Sequence, residues 1–207
     1  MAGDAPSTVA AEIFATDWAE HLTVAAHCRD ELQAPFAQLA RVAAQSIRNG
    51  GKILFCGNGG SAGDAQHLAT ELTVRFSRNR VPIAALALTT DSSALTAIGN
   101  DLGFEHLFAR QVEALARPGD LLVGISTSGT SPNITAALKT ARAMNVTCAA
   151  LSGRDGGDLV GLADPLLIVP SNTTARIQEM HITLGQMLCS ALEQDLGLVP
   201  DSGGPPA

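Results

Sequence analysis

Apolar and polar positions fall into two regimes along the chain. Between residues 9 and 49, Ala, Leu, Val and Ile return at helical spacing, and Pro35 is the only proline, which predicts two helices broken between Arg29 and Pro35. From Lys52 onward the period changes. Short apolar runs (ILFC, AALAL, DLLVGI, VTCAALSG and PLLIVP) alternate with turn-rich segments and helical stretches. That cycle predicts an α/β, Rossmann-like three-layer sandwich, with about five parallel strands flanked by helices and an N-terminal helical extension. One helix is expected from about Ala62 to Phe76. Another runs from about Thr173 to Leu196, with Ile177, Met180, Leu184, Met187, Leu188 and Ala191 on an apolar face that packs on the sheet or on a neighbouring subunit. Residues 1–8 and 199–207, rich in Pro, Gly and small polar side chains, are expected to be disordered around a single domain over 9–198.

Composition narrows the classes. The 207 residues are 46% hydrophobic, enough for one substantial core. A net charge of −7 without runs of like charge argues against a nucleic-acid partner. The four cysteines, Cys28, Cys56, Cys148 and Cys189, lack the paired spacing of a zinc knuckle or redox motif and read as reduced, buried thiols. There is no signal-peptide pattern and no apolar run of about eighteen residues, so a cytoplasmic chain with no membrane partner is expected.

Ligands of parallel sheets sit beyond the carboxyl ends of the strands, where three segments are dense in small polar residues. Ser126-Thr127-Ser128-Gly129-Thr130-Ser131-Pro132-Asn133 can converge hydroxyls and N–H groups on an anion, or simply cap a helix. Gly57-Asn58-Gly59-Gly60-Ser61 lets backbone approach a ligand and offers Asn58 to sugar hydroxyls, or makes a tight turn. Thr89-Thr90-Asp91-Ser92 reads as a cap. No GK[ST] or GxGxxG spacing is present, which lowers the case for ATP or NAD.

His67 and Glu71, four apart, share a helix face and can act together on a metal or substrate, or form a solvated surface pair. Gln178 and Glu179 are carried toward the same neighbourhood by the last helix. His181 reads as a satisfied, half-buried imidazole. His21, His27 and His106 read as structural.

The blocks GNGGSAGDAQHLATE, LTTDSSALTAIGNDLGFEHLFARQVE, GDLLVGISTSGTSPNI and TARIQEMHITLGQMLC, in this order and spacing over residues 40–195, resemble the phosphoheptose isomerases of the sugar isomerase (SIS) family. The resemblance implies a cytoplasmic homotetramer that interconverts sedoheptulose 7-phosphate and a mannoheptose 7-phosphate, feeding heptose into bacterial surface polysaccharide. It places Ser126, Thr127, Ser128 and Ser131 at the phosphate. Asn58, Gly59, Gly60, Glu71, Asn100, Asp101 and Gln178 fall where the family contacts the sugar. Glu71 falls at the catalytic carboxylate, and His67, Glu71 and Gln178 fall among the ligands of one zinc ion per subunit. A carboxylate suits the reaction, because moving a carbonyl between neighbouring carbons proceeds by proton transfer through an enediol.

One position departs from the pattern. The family's histidine eight residues after Gln178, a second acid/base group and zinc ligand, is here Gln186. A glutamine amide cannot exchange protons near neutral pH, although its oxygen can bind a metal weakly. His181 does not replace it, because positions 181 and 186 point about 140° apart on a regular helix. Three outcomes are open: a water takes over the proton transfer, metal binding weakens, or catalysis is lost and binding kept. The intact Glu71 and loops favour the first. Two rivals follow, a non-catalytic binding protein resembling the replication-initiator-associating proteins, and an isomerase of another sugar phosphate.

Overall fold

The computed structural model describes residues 8–199; the expected terminal segments fall outside that range except for Thr8, which opens the first helix, and Val199. The helical extension is α1 (Thr8–Glu31) and α2 (Gln33–Arg48), broken at Leu32 as the sequence predicts. The α/β part then runs β1 (Ile53–Gly57), α3 (Gly60–Thr73), β2 (Ala85–Ala87), α4 (Ser92–Asp101) and α5 (Ala109–Leu115). It continues with β3 (Leu121–Ser126), α6 (Pro132–Ala143), β4 (Thr147–Gly153), β5 (Leu166–Val169) and α7 (Thr174–Asp195).

All five strands are parallel, in the order β2-β1-β3-β4-β5. Alternation along each strand divides the core in two. Ile53, Phe55, Leu121, Val123, Ile125 and Leu151 face the layer of α1, α2, α3 and α7. Leu54, Cys56, Leu122 and Ala150 face α4, α5 and α6. Each fully buried Leu, Ile or Phe removed from water contributes about 1.5–3 kcal/mol, so both faces of the sheet must be covered.

Two expectations shift. The helix expected over Ala62–Phe76 begins earlier, at Gly60, and stops at Thr73, because the chain after Val74 is taken up by long-range side-chain bonds described below. On α7, Met187 is 48% exposed and lies outside the apolar face assigned to it. In its place His181 is fully buried.

The topology positions the site. After β1 the chain passes into α3 on one face, whereas after the neighbouring β3 it passes into α6 on the other. This is the switch point of an open parallel sheet, where a crevice opens beyond the strand ends.

Candidate active site

Two loops meet at that crevice. Asn58, between β1 and α3, and Asn133, in the first turn of α6, exchange a pair of amide hydrogen bonds, each 2.8 Å. The pair ties the GNGG loop to the hydroxyl loop across 75 residues of sequence. Asn133 was not singled out by the sequence reading, although it closes the hydroxyl-rich segment.

The hydroxyl loop is folded on itself. Ser126, at the end of β3, lies 3.0 Å from the Ser131 hydroxyl and accepts from the Gly129 amide at 3.2 Å. Ser128 accepts from the Thr130 amide and hydroxyl at 3.2 and 3.1 Å. Gly129 has φ +71°, and a Cβ there would sit 2.3 Å from the Gly156 oxygen, so the turn requires glycine. Ser131 is the N-cap of α6 yet makes no side-chain bond to that helix. Gly59, the N-cap of α3 at φ 53°, offers no side chain at all. Two helix N-termini therefore begin without a side-chain acceptor beside hydroxyls suited to an anion.

The other wall is the seam of α3 and α7. His67 Nε2 lies 3.3 Å from Glu71 Oε1 and 3.4 Å from Gln186 Nε2, so α7 brings Gln186, the departing position, up to the His67–Glu71 pair on α3. Glu71 is the better covered of the two, with 21% of its side chain exposed against 46% for His67. Close packing makes the seam possible: a Cβ on Gly185 would lie 2.5 Å from Leu68 Cδ1, and one on Gly60 would lie 2.0 Å from Gln178 Nε2. Gln178 thus sits against the GNGG turn, as expected.

Asp64, one turn before His67, is a further acidic group that the sequence reading passed over. It is buried, one of its oxygens has no partner, and burial pushes its carboxyl above the usual range against the opposing pull of His67. With Gln178, Glu179, Ala175 and Ile182 it lines a hollow of about 310 Å³. A larger hollow, about 790 Å³ between α1, α2 and α7, is lined by His21, Cys28, Phe36 and Met187 and lies away from the hydroxyl loop.

Other expected residues are placed differently. Asn100 and Asp101, exposed at the end of α4, bond to each other at 2.7 Å, and neither makes a described hydrogen bond to the loops or to Glu71. Glu179 turns toward His21 at 2.8 Å and Arg176 at 2.7 Å, which fits the structural reading of His21. His181 is not half-buried and satisfied as expected. It is fully buried, with Nε2 3.0 Å from the Ser152 carbonyl and Nδ1 without a partner, and burial holds its pKa down to about 4.

The donors around His67 can be compared with what zinc requires. Tetrahedral zinc with bonds of about 2.0–2.1 Å sets its ligand atoms about 3.4 Å apart. The His67–Glu71 and His67–Gln186 separations of 3.3 and 3.4 Å match that edge, and a turned amide puts the Gln186 oxygen where its nitrogen stands. Among the described residues no three His, Cys, Asp or Glu side chains converge, so a third ligand would have to be an amide oxygen. The residues fit a zinc ion, with two strong donors and weak ones to complete the set.

Against known families, the SIS domain profile matches residues 18–153. The chain belongs to the SIS domain family. Within it, the chain groups with the phosphoheptose isomerases. It is 58% identical over 175 residues to phosphoheptose isomerase of Paramagnetospirillum magneticum, covering 84% of this chain and 91% of that one. It is 50% identical over 178 residues to phosphoheptose isomerase 1 of Campylobacter jejuni, covering 86% and 95%. Among solved SIS structures, phosphoheptose isomerase from Neisseria gonorrhoeae superposes with a TM-score of 0.83 at 48% identity, covering 88% of this chain and 98% of that one. The enzyme from Francisella tularensis superposes at 0.87 and 36% identity, covering 89% and 98%.

Proposed function

We propose that the protein is the aldose–ketose isomerase that converts sedoheptulose 7-phosphate to glycero-manno-heptose 7-phosphate, the first step toward heptose units of bacterial surface polysaccharide. The observation that carries this reading is the meeting of Glu71, His67 and Gln186 beside two loops locked together by Asn58 and Asn133. The relatives' names support the same substrate class and weigh against both rivals.

Ser126, Thr127, Ser128 and Ser131 hold the phosphate with hydroxyls and the N-terminus of α6, which suits an anion in a chain of net charge −7. Asn58, Gly59, Gly60 and Gln178 orient the sugar. The Glu71 carboxylate takes the proton from C1 of the ketose, the C1–H electron pair forms the enediol double bond, and the same carboxyl returns the proton to C2. The proton passing between the two oxygens travels through water, because the Gln186 amide cannot carry it. Amide N–H groups of Gln178 and Gln186 would donate to the oxygen that gains charge. Zinc, when bound by His67, Glu71, Gln178 and Gln186, would add Lewis-acid polarisation of the carbonyl.

No described helix is long and apolar enough to cross a membrane; the proposed cytoplasmic location rests on the family resemblance. A homotetramer is the proposed assembly, supported by the apolar residues Ile13, Phe14, Trp18 and Leu22 exposed along α1. Turnover of sedoheptulose 7-phosphate by purified protein, with added zinc and after chelation, tests the reading. Turnover supports it, and its zinc dependence reports on the metal. Absence of turnover with the sugar phosphate still bound would leave a recognition protein instead. Gln186→His supplies a third strong donor, so zinc retention under a chelator titration should rise about ten-fold or more.

A further inference from the structure

The segment after α3 carries three arginines, Arg75, Arg78 and Arg80, in the stretch VRFSRNR. By composition it is a solvated loop, and Arg75 and Arg78 are exposed accordingly. Arg80 is not: its side chain and that of Glu193, its partner on α7, are each 1% exposed, with Nε 2.9 Å from Oε1.

Both groups are satisfied by specific partners. Arg80 donates to the backbone carbonyls of Glu71 at 2.8 Å, Leu72 at 2.7 Å and Val81 at 3.1 Å. Glu193 accepts from the amides of Phe76 and Ser77 at 3.1 and 3.3 Å, and from the Ser77 hydroxyl at 2.6 Å. Burial pushes the Glu193 carboxyl up, but these donors outweigh it and hold the group below the usual range.

Burying an ion pair this deeply yields little net stability, since desolvation of both charges offsets their attraction. Geometry is what the pair fixes. The last turn of a helix leaves carbonyls without intrahelical donors, and a guanidinium there satisfies them and matches the helix dipole. One of the two α3 carbonyls held in this way belongs to Glu71 itself. The pair also acts on the facing helix, because Glu193 lies two turns beyond Gln186 on nearly the same stripe of α7. A single bridge thus joins the helix that carries His67 and Glu71 to the helix that carries Gln178 and Gln186.

We infer that Arg80 and Glu193 are positioning residues for the isomerisation: they fix the C-terminal turn of α3 and its register on α7, and so hold Glu71 at the sugar. This rests on the reading of Glu71 as the base. The pair is sealed from solvent and makes no described bond to the phosphate loop, so its loss should appear in kcat and leave KM within about two-fold.

The test is the double variant Arg80→Met with Glu193→Gln. It leaves no unpaired buried charge and keeps an amide oxygen for Phe76 and Ser77, while removing the cap on α3. Expected are a folded protein, a kcat reduced about ten-fold or more, and faster amide exchange in the last turn of α3 with α5 unchanged. Arg80→Lys, which keeps the charge but not the planar fork, should fall between it and the wild type. Val112→Ala, a core truncation in α5, is the comparison for simple destabilisation and should leave kcat unchanged below its melting range. An unchanged kcat, or unchanged exchange in α3, in the folded double variant overturns the positioning role. If the double variant does not fold, Arg80→Lys with wild-type kcat overturns it in the same way. Absence of turnover in the wild type would instead strike the isomerase reading itself, while the exchange measurement still reports whether the pair orders α3.

Discussion

The two walls of the crevice are built by different means. The hydroxyl loop is local: Ser126 bonds Gly129 and Ser131, and Ser128 bonds Thr130, all within five residues, between the end of one strand and the start of the next helix. The α3–α7 seam is assembled from afar. Gln186 meets His67 across 119 residues, and Glu193 meets Arg80 across 113. A wall of short-range bonds suits uniform grip on a phosphate, which does not change during the reaction. A wall whose atoms are placed by tertiary packing suits the proton transfer, where small displacements cost most.

The largest expected effect separates the two walls directly. Glu71→Gln keeps the shape of the seam and removes its base, so kcat should fall about 10³-fold or more while substrate binding, measured by calorimetry, persists. Retained turnover would move the chemistry away from the seam.

The next prediction concerns His181, which lies on α7 with its Nε2 against Ser152, a residue paired in register with Ser126. Burial holds its pKa down to about 4, with the Ser152 carbonyl pulling the other way, against an ordinary 6.5. Between those values the unfolded chain binds a proton that the folded chain refuses, so stability is full above about pH 6.5 and declines as the pH falls toward 4. The decline should reach roughly 3 kcal/mol, read from urea transitions at fixed protein concentration. His181→Gln should flatten that dependence, and an unaltered slope would place the acid sensitivity elsewhere.

The same contrast explains how much was legible in the sequence. The five strands and the hydroxyl loop could be read because each is written in consecutive residues: the run LLVGIS followed by TSGTSPN states a strand, a turn and a helix start in order. The i,i+4 spacing of His67 and Glu71 was legible for the same reason. Nothing local marks Arg80 as the buried one of three nearby arginines, or Asn133 as the partner of Asn58, because each is decided by an element far along the chain. The apolar pattern of α7 left His181 half-buried because a carbonyl on β4 offers the imidazole a bond that no helix period encodes.

A smaller effect probes the fit of the seam. Gly185→Ala would place a methyl 2.5 Å from a terminal carbon of Leu68, which is itself buried and cannot swing into solvent. Over-packing of this kind costs about 1–3 kcal/mol and pushes α7 from α3 beside Gln186 and His67. Both melting temperature and kcat should drop, with KM little changed.

The smallest effect belongs to the hydroxyl loop. Ser126→Ala removes a hydroxyl that meets Ser131 at 3.0 Å and accepts from the Gly129 amide, yet leaves the turn its backbone bond from Gly129 to the Ser126 carbonyl. The phosphate would lose one hydrogen-bonding group equally in ground and transition states, so KM should rise about ten-fold with kcat nearly constant, a difference of about 1.4 kcal/mol. Ser128→Ala, at a half-buried hydroxyl engaged by Thr130, should do the same to a lesser degree. The split is what matters: a loop that grips passively moves KM, whereas the seam moves kcat. A fall in kcat at constant KM from either serine would mean that the hydroxyl loop also aligns the sugar for proton transfer, and the division between the two walls would then fail on the side where the sequence was easiest to read.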